Sequence, residues 1–240
     1  MSPSTALGTL YGVGVGPGDP ELLTLKAVGL IGNADVVAYP IKANGESRSL
    51  ALGAPYLRSD VIHYPLVMDF APDRFNALAA YRKGAVALGE HLANGRTVVV
   101  LCEGDPMLYG SFSYLMEQVL DLNPEQPVVV VPGITSPMAC AALALRPLAQ
   151  GDEILLTVPA TLSEPRLIAL LAHCDSAVVM KVGRHLDKVC RALLLSGMSA
   201  GAVCVTEVGH AHQRVLTLDR AMLKGVPYFS LVLAHRKTLL

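Results

Sequence analysis

Residues 9–20 read TLYGVGVGPGDP, an apolar run that leads through a glycine-rich turn to an Asp-Pro pair. The run Thr9 to Val15 predicts a strand, and its successive apolar residues predict burial on both faces of a sheet. Asp19 and Pro20 are a helix start signal, because aspartate supplies a capping oxygen and proline fits the first helical turn. A strand, a tight turn and a helix in this order predict the first half of a β-α-β unit.

The same alternation continues towards the middle of the chain. Short β-branched runs alternate with longer amphipathic stretches, which is typical of β-α-β units around a mainly parallel sheet. The further strands predicted here are Val36 to Tyr39, Val61 to Leu66, Thr97 to Cys102 and Val128 to Val131, and the predicted helices are Glu21 to Ile31, Pro72 to Ala93, Ser111 to Leu122 and Ser136 to Leu145.

The rhythm changes after Arg146-Pro147. The runs Arg214 to Leu218 and Tyr228 to Ala234 predict two strands with no long helix between them, so this half predicts a mixed sheet. Its other predicted elements are the strands Ile154 to Thr157, Ala177 to Lys181 and Ala202 to Glu207 and the helices Ser163 to Ala172 and His185 to Leu195. We therefore predict two α/β domains, residues 1–134 with a parallel sheet and residues 135–240 with a mixed sheet.

The composition predicts a folded protein with much buried surface. Hydrophobic residues make up 52% of the 240 residues and charged residues only 16%, against roughly 25% charged residues in average globular chains. The formal net charge is −1, so the chain has no general electrostatic attraction for nucleic acid or anionic lipid. An anionic ligand must therefore be bound by local clusters of cations.

Cysteine usage and the charge pattern predict a soluble, cytoplasmic protein. The five cysteines are odd in number and include no CxxC pair, which indicates buried thiols in a reducing compartment. Residues 126–145 carry no formal charge, but Pro132, Gly133 and Pro137 interrupt them. A strand, a turn and a helix fit these breaks better than a membrane-spanning helix does. The first ten residues lack the pattern of a signal peptide.

Three turns at the carboxyl ends of predicted strands are the candidate ligand-binding segments, because ligands bind at that edge of open α/β sheets. The first, residues 12–20, fails the dinucleotide pattern GxGxxG in both registers and lacks the P-loop lysine. It is either a glycine-rich ligand loop or a structural tight turn. The second turn, residues 102–110, contains Asp105-Pro106, which fits both a helix entry and a ligand contact. In the third turn, Thr135 and Ser136 fit both helix capping and binding of a polar ligand.

Together the three turns are more specific than any one of them. The segments GVGVGPGDPELLTLKA (12–27), EGDPMLYGSFSYL (103–115) and VVPGITSPMACAAL (130–143) resemble the tetrapyrrole methyltransferases, and the similarity runs over nearly the whole chain. This resemblance implies a two-domain α/β fold that binds S-adenosylmethionine in a cleft between the domains. Within the family, DVVAYP (35–40), SRSLA (47–51), HYPLVMDF (63–70), AVVMKVGRH (177–185) and GVPYFSLVLAHR (225–236) are most similar to the branch that methylates C20 of precorrin-2 in cobalamin synthesis.

The resemblance also implies a set of cofactor contacts. Several family members have alanine where Ser136 stands and glycine where Glu103 stands. The family's Met-Gly pair at a strand end reads Met180-Lys181-Val182-Gly183 here, so Met180 and Val182 are either cofactor contacts or core residues. The implied contacts are Pro17, Glu103, Gly104, Asp105, Leu108, Thr135, Ser136, Met180, Val182, Gly209, Tyr228, Ser230 and Leu231.

The implied substrate is a polyanionic tetrapyrrole, so a nearly neutral chain must bind its carboxylates with clustered cations, for which arginine is well suited. For each candidate, a solvated surface position is the alternative. The candidates in loops expected near the cleft are Lys42, Arg48, His63, Lys181, Arg184, His185, His210, His212 and Arg214.

The sequence contains no Ser-His-Asp order, no metal-ligand cluster and no paired-carboxylate pattern. It therefore gives no reason to expect covalent or metal catalysis. The sulfonium of the implied cofactor already carries a good leaving group, so positioning of the reactants in a dry site supplies most of the catalysis. Loss of a ring proton after methyl transfer calls for a base. The candidate bases are Glu207, His185 and Asp105, and the sequence does not choose among them.

Three alternatives stay open from the sequence. The first is methylation of the cobalt-containing intermediate, cobalt-factor II, at the same carbon. The second is a nucleotide-binding oxidoreductase on a doubly wound sheet, and the third is a non-catalytic ligand-binding module. The family resemblance and the low charged fraction also lead us to expect a homodimer, with neither nucleic acid nor membrane as a partner.

Overall fold

The computed structural model of the chain describes residues 6–41, 45–67 and 74–237. These residues form two compact units, which meet along the chain between Thr135 and Ser136. Each unit has its own five-stranded sheet within the described residues. The first sheet is parallel and the second is mixed, so the expected α/β fold class is confirmed.

The N-terminal unit alternates strands and helices. Its strands are β1 (Leu10–Gly14), β2 (Val36–Ile41), β3 (Ile62–Val67), β4 (Val98–Cys102) and β5 (Val128–Val131), and its helices are α1 (Leu25–Gly32), α2 (Arg48–Gly53), α3 (Arg74–Ala93) and α4 (Phe112–Leu122), with short 3₁₀ turns at Pro20–Leu22 and Ala54–Tyr56. The strand order is β3-β2-β4-β1-β5, with every pair parallel. The ends of β4, β1 and β5 therefore meet at one edge of the sheet.

Both faces of this sheet are buried, as the unbroken apolar runs predict. Val98 and Val100 of β4 pack with residues of α3 and α4 on one face. Val99 and Leu101, the alternating residues of the same strand, pack with residues of α1 and α2 on the other. Because side chains alternate across a strand, a single apolar run supplies both layers of the core.

The C-terminal unit consists of α5 (Ser136–Ala144), β6 (Leu155–Pro159), α6 (Glu164–Leu171), β7 (Ser176–Met180), α7 (Leu186–Leu195), β8 (Val203–Thr206), β9 (Arg214–Thr217), α8 (Leu218–Lys224) and β10 (Ser230–His235), with a 3₁₀ turn at Gly183–His185. The strand order is β6-β7-β10-β8-β9, and only β6 and β7 pair in parallel. Helices α6, α7 and α8 cover one face of this sheet and α5 covers the other.

Polar residues fix the end of β10 to its surroundings. His235 is buried, and its Nε2 lies 3.0 Å from a carboxylate oxygen of Glu153. Lys237 reaches the other oxygen of Glu153 at 2.9 Å, and its backbone N–H donates to Nδ1 of His235. Since Nδ1 accepts that bond, Nε2 carries the proton and donates to Glu153. Hydrogen bonds from Lys237 and His235 lower the pKa of Glu153 to about 2.

Arg236 closes the ends of two helices. Its guanidinium donates to the carbonyl oxygens of Leu171, the last residue of α6, and of Cys174 just beyond it, at 2.7 Å each. It also donates to the carbonyl oxygen of Ser196 after α7, at 3.1 Å. These carbonyls lie at helix C-termini, where the helix itself supplies no donor. One cation therefore satisfies the open ends of α6 and α7 together.

Most predicted elements are found within one or two residues of their predicted bounds, but the first predicted helix is interrupted. The stretch Glu21 to Ile31 forms the 3₁₀ turn Pro20–Leu22, capped by Asp19, and then the separate helix α1, capped by Thr24. Two capping side chains five residues apart each begin a helix, which breaks the predicted continuous one. Helix α2, capped by Ser47, was not predicted.

The thiols agree with their predicted role as small buried hydrophobes. All five cysteines are free, and Cys190 alone among them is half-buried, the others being buried. Burial raises the pKa of the Cys140 and Cys204 thiols to about 12. Across the described ranges, no helix has the length and apolar character needed to cross a membrane.

Candidate functional site

The first two sequence-predicted turns pair directly at the carboxyl edge of the N-terminal sheet. Beyond the ends of β1 and β4, the Gly104 N–H donates to the Gly16 carbonyl oxygen at 2.8 Å, and the Gly16 N–H donates back at 3.3 Å. This is an antiparallel bridge that extends two parallel strands. Gly16 and Gly104 both have positive φ, +79° and +66°, which glycine adopts without strain.

The third turn joins them through glycine packing. A Cβ on Gly133 would lie 2.1 Å from the Gly104 carbonyl oxygen and 2.8 Å from the Gly14 Cα. A Cβ on Gly14 would in turn lie 2.6 Å from both the Gly104 oxygen and the Gly133 Cα. These are backbone contacts that cannot yield by a rotamer change. We call residues 14–18, 103–110 and 132–135 the three-turn cluster.

Asp105 bonds the second turn to the third. One of its carboxylate oxygens accepts from the Met107 N–H at 2.9 Å, and the other accepts from the Gly133 N–H at 3.0 Å. The first bond closes a local Asx turn, and the second crosses to the end of β5. The geometry therefore gives Asp105 a positioning role within the three-turn cluster, and no proton transfer needs to be assigned to it.

The other implied cofactor contacts of this unit lie around the cluster. Pro17, Gly104, Leu108 and Thr135 are half-buried, and Glu103 is exposed. Asp19 caps the following 3₁₀ turn by accepting from the Glu21 N–H at 2.9 Å, so its role is structural. The three-turn cluster thus combines an exposed carboxylate, a hydroxyl, an apolar side chain and backbone amides at one sheet edge.

A second group of strand ends meets in the C-terminal unit. Strand β10 runs antiparallel to β7 and β8, so it begins where they end. The Val182 N–H donates to the Ser230 carbonyl oxygen at 3.3 Å, and the Glu207 N–H donates to the Phe229 carbonyl oxygen at 2.8 Å. We call residues 180–185, 207–214 and 227–231 the C-terminal loop cluster.

Several implied contacts occur in this cluster, with different exposures. Val182 and Leu231 are buried core residues, which favours the core interpretation for Val182. Met180 is half-buried and packs beside α5, whose first residue is Ser136. Tyr228 is 59% exposed and its ring packs edge-on against Phe229. The remaining positions are Gly209, which has a positive φ of +80°, and buried Ser230, whose hydroxyl donates to the Pro227 carbonyl oxygen.

Basic candidates gather in the same loops. Arg214 pairs with Thr206 in the β8–β9 register, which places it at the carboxyl end of β8. Lys181 has a positive φ of +58°, as does Glu207 at +48°, so both strand ends turn sharply. The other basic members of the C-terminal loop cluster are Arg184, His185, His210 and His212.

His185 differs electrostatically from its basic neighbours. Partial burial, and then the nearby charges of Lys188 and Arg184, lower its pKa. A lowered pKa favours the neutral imidazole near pH 7, which can accept a proton. A lowered pKa makes His185 a poorer cation for carboxylates than the arginines and lysine beside it.

One of the substrate candidates from the N-terminal half is placed differently from expectation. His63 was expected in a loop, but it is the second residue of β3 and its ring packs edge-on against Tyr39 at 5.9 Å. It therefore lies near the amino end of its strand, away from the carboxyl edge, and the loop assignment is wrong. Arg48 begins α2, which follows the carboxyl end of β2. Lys42 lies outside the described residues.

The packing glycines were the feature that sequence reasoning missed. Gly14 and Gly133 were recognised as turn residues, but their direct contact depends on the strand order β4-β1-β5. A glycine in each of two strand-end turns was the available signal. Within the described part of the chain, no group of three or more His, Cys, Asp or Glu residues is placed to hold a metal ion.

Comparisons with known proteins agree with this architecture. The family model described as Tetrapyrrole (Corrin/Porphyrin) Methylases matches residues 9–223. A precorrin-2 C(20)-methyltransferase from a Sinorhizobium species is 42% identical, with 95% of each chain covered. A cobalt-precorrin-2 C(20)-methyltransferase from Salmonella typhimurium is 28% identical over 96% of this chain and 97% of that one.

A solved structure of similar architecture carries a ligand. Uroporphyrin-III C-methyltransferase from Thermus thermophilus, complexed with S-adenosylhomocysteine, superposes with a TM-score of 0.67 at 25% identity, covering 95% of this chain and 97% of that one. The resemblance noted from the three turns is confirmed by these matches. The chain belongs to the tetrapyrrole (corrin/porphyrin) methylase family.

Proposed function

We propose that the chain transfers a methyl group from S-adenosylmethionine to C20 of precorrin-2, giving precorrin-3A in cobalamin biosynthesis. The observation that carries this proposal is the 42% identity, over 95% of both chains, with a protein named precorrin-2 C(20)-methyltransferase. The three-turn cluster supports it, because the turns that carry the family resemblance are hydrogen-bonded together. Family membership decides against the nucleotide-binding oxidoreductase that the sequence left open.

The residues present fit the chemistry of S-adenosylmethionine. Its adenosine and methionine parts offer hydroxyls, an ammonium and a carboxylate beside apolar surface. The three-turn cluster offers the exposed carboxylate of Glu103, the hydroxyl of Thr135, the apolar side chain of Leu108 and the backbone around Gly104. We therefore keep the implied contacts of both clusters, including Pro17 and Asp105, as proposed cofactor contacts, with Asp105 acting by holding the turns together.

The bound cofactor supplies an electrophilic methyl on a sulfonium with a good leaving group. The chain's own contribution is position, because a fixed orientation removes most of the entropic cost of bringing two reactants together. The hydrogen bonds among Gly16, Gly104, Asp105 and Gly133 hold the three turns together. No side-chain nucleophile is required for this reaction.

The cations of the C-terminal loop cluster are the proposed contacts for the substrate's acetate and propionate groups. Lys181, Arg184 and Arg214 carry charges that suit carboxylates, and arginine binds them with two parallel hydrogen bonds. Arg48 of α2 is a further proposed contact from the N-terminal unit.

Replacing Arg184 or Arg48 with Ala is expected to weaken precorrin-2 binding and leave S-adenosylhomocysteine affinity unchanged. Isothermal titration with each ligand in turn measures both; an unchanged tetrapyrrole affinity removes that arginine from the site.

After methyl transfer, a base must remove a proton from the macrocycle. His185 is the stronger candidate, since its lowered pKa keeps the imidazole neutral near pH 7. Glu207 remains a second candidate at the same cluster. His185→Gln is expected to lower kcat and to leave the KM for S-adenosylmethionine nearly unchanged. An unchanged kcat would leave Glu207 as the base.

A second candidate function is methylation of the cobalt-containing intermediate, cobalt-factor II, at the same carbon. The observation in its favour is the relative from Salmonella typhimurium, which matches 96% of this chain at lower identity. Offering metal-free and cobalt-loaded substrates to the purified enzyme under anaerobic conditions, and following product mass, distinguishes the two. We expect faster turnover of the metal-free substrate.

The direct test is incubation with ¹³C-methyl-labelled S-adenosylmethionine and precorrin-2, followed by NMR location of the new methyl. A label on C20 supports the proposal; a label on another carbon, or cofactor binding without turnover, contradicts it.

We further propose that the enzyme works as a homodimer in the cytoplasm, with neither nucleic acid nor membrane as a partner. Light scattering at micromolar concentration should give twice the chain mass of 25.3 kDa for the dimer, and a single chain mass would contradict it.

A further inference from the structure

The loop between β8 and β9 is built from two consecutive tight turns. The His210 N–H donates to the Glu207 carbonyl oxygen at 3.1 Å, and the Gln213 N–H donates to the His210 carbonyl oxygen at 3.0 Å. Each bond joins residues three positions apart, which is the pattern of a β-turn. Gly209 occupies the third position of the first turn with a φ of +80°, a conformation for which glycine is preferred. Residues 207–213 therefore fold back on themselves between the two strands.

A glutamine side chain closes this loop. The side-chain oxygen of Gln213, Oε1, accepts a hydrogen bond from the Gly209 N–H at 2.9 Å. The bond that defines a β-turn uses the N–H of its fourth residue, so the turn itself supplies no acceptor for the N–H of its third residue, here Gly209. The side chain at the end of the second turn thus provides the acceptor that the first turn lacks.

The first turn begins at a strained residue. Glu207 has a positive φ of +48°, which costs free energy for a residue other than glycine. Such a conformation persists only where its surroundings fix it. On one side, the Glu207 N–H donates to the Phe229 carbonyl oxygen, just before β10, at 2.8 Å. On the other side, the hydrogen bond from Gly209 to Gln213 holds the turn that Glu207 begins.

Core packing holds only the start of this loop. Val208 packs beside the core of the C-terminal unit, whereas residues 211–214 are exposed. Strand β9, which follows the loop, lies at the edge of its sheet and begins at Arg214, paired with Thr206. Hydrogen bonds within the loop therefore supply much of its order, and the bond between Gln213 and Gly209 ties the second turn back onto the first.

We propose that Gln213 is a positioning residue for the tetrapyrrole substrate, which holds residues 207–213 in their binding conformation through its hydrogen bond with the Gly209 N–H. The loop carries His210 and His212 and ends at Arg214, and all three are basic candidates for the carboxylates of the substrate. Gln213 contacts neither reactant in this scheme and acts only through the loop. The inference rests on the proposed function for its effect on substrate binding, whereas the ordering of the loop does not depend on any ligand.

The test compares Gln213→Met with Gln213→Glu. Methionine has nearly the length of glutamine but offers only a weak acceptor, while glutamate keeps a strong acceptor at the same position along the side chain. Exchange of the Gly209 N–H with water, measured by NMR on the ¹⁵N-labelled free protein, is expected to accelerate about threefold to tenfold in Gln213→Met, the range for one net hydrogen bond. Gln213→Glu should keep the slow exchange of the wild type, because its carboxylate accepts the same bond.

Thr217→Ala is the matched control. Thr217 lies at the other end of β9, and its hydroxyl accepts from the Arg220 N–H at 3.4 Å, so it too is an exposed side chain that accepts from a backbone amide. Loss of this helix cap should lower Tm and leave both the Gly209 exchange rate and the precorrin-2 affinity unchanged. The proposal is overturned if Gln213→Met leaves the exchange of Gly209 unchanged, or if Thr217→Ala accelerates it as much.

Substrate binding decides the positioning role. The Kd for precorrin-2, measured by isothermal titration under anaerobic conditions, and its KM should rise about threefold to tenfold in Gln213→Met, with a smaller change in kcat, because binding must then restore the order that the hydrogen bond no longer supplies. A Gln213→Met protein with faster Gly209 exchange but the wild-type Kd would show a structural role only and refute the positioning role. A wild-type protein that binds no precorrin-2 would refute the proposed function, while the exchange rates still decide whether Gln213 orders the loop.

Discussion

Replacement of Gly133 by alanine tests whether close backbone packing builds the three-turn cluster. The new Cβ would lie 2.1 Å from the Gly104 carbonyl oxygen, whereas ordinary contact begins at 3.4 Å, so the turns must separate by about 1.3 Å. Gly133 has no positive φ, so the added methyl acts through steric overlap and not through backbone strain. The contacting atoms are the carbonyl oxygen of Gly104 in the second turn and backbone atoms of Gly14 in the first. Gly104 is also hydrogen-bonded to Gly16, so a shift of the second turn strains that pair of bonds.

The expected magnitudes follow from this displacement. Overpacking of this kind costs about 1–3 kcal/mol, and the upper half of that range corresponds to a loss of roughly 4–12 °C in Tm. A misplacement of about 1 Å at a binding site weakens function by up to roughly 100-fold. We therefore expect Gly133→Ala to weaken S-adenosylhomocysteine binding by about 10- to 100-fold, measured by isothermal titration.

Gly89→Ala is the matched control. Gly89 lies inside α3, and a Cβ there would have nothing within 4 Å. Alanine in a helix interior is favoured over glycine by roughly 0.5–1 kcal/mol, so this variant should be slightly more stable and bind normally. If Gly133→Ala keeps both wild-type Tm and wild-type affinity, the idea that tight glycine packing forms the site is refuted.

Three further predictions concern the C-terminal unit. Hydrogen bonds from Lys237 and the buried His235 lower the pKa of Glu153 to about 2. The ionised carboxylate therefore stabilises the folded protein fully above its ordinary pKa of 4.5, and this contribution is lost as the pH falls towards 2. Glu153→Gln should be less stable than the wild type in urea unfolding at pH 6, and a stability difference that stays constant down to pH 3 would contradict this. Arg236→Lys should lose about 1–2 kcal/mol in urea unfolding, since an ammonium cannot reach three carbonyl oxygens; wild-type stability in this variant would refute the shared-cap interpretation. The ¹H NMR titration of His185 should have a midpoint below 6.5 that rises in Lys188→Met, because that cation contributes to the lowered pKa; a midpoint unaffected by this change would exclude the charge effect.

The strands and the edge that carries the site were predictable because they depend on local pattern. The run Val128–Val131 was predicted with its observed bounds, since four successive β-branched residues favour a strand and Pro132-Gly133 ends it. The interrupted first helix was not predicted, because Asp19 and Thr24 are both valid caps and only the folded structure shows that both are used. Helix α2 is short, and its cap Ser47 was its main signal.

The site was predictable at the level of segments and less so at the level of atoms. Parallel strands end at one edge, so three strand-end turns were expected to lie together. The bond from Gly133 to Asp105 joins residues 28 positions apart and depends on β1 lying between β4 and β5. His63 was counted among loop candidates although it falls inside the predicted strand Val61 to Leu66. Its position near the amino end of β3 places it away from the carboxyl edge of the sheet.

The central place of β1 has a consequence for how the chain is made. Leu10 pairs with Val98 and Val128, roughly 90 and 120 residues further along the chain. Because ribosomes add about 5–20 residues per second, a nascent β1 waits on the order of 5–20 s before β4 is synthesised. During that interval an apolar segment without partners is exposed to aggregation and to chaperones, so slowed translation between the codons of the two strands should lower the yield of active enzyme.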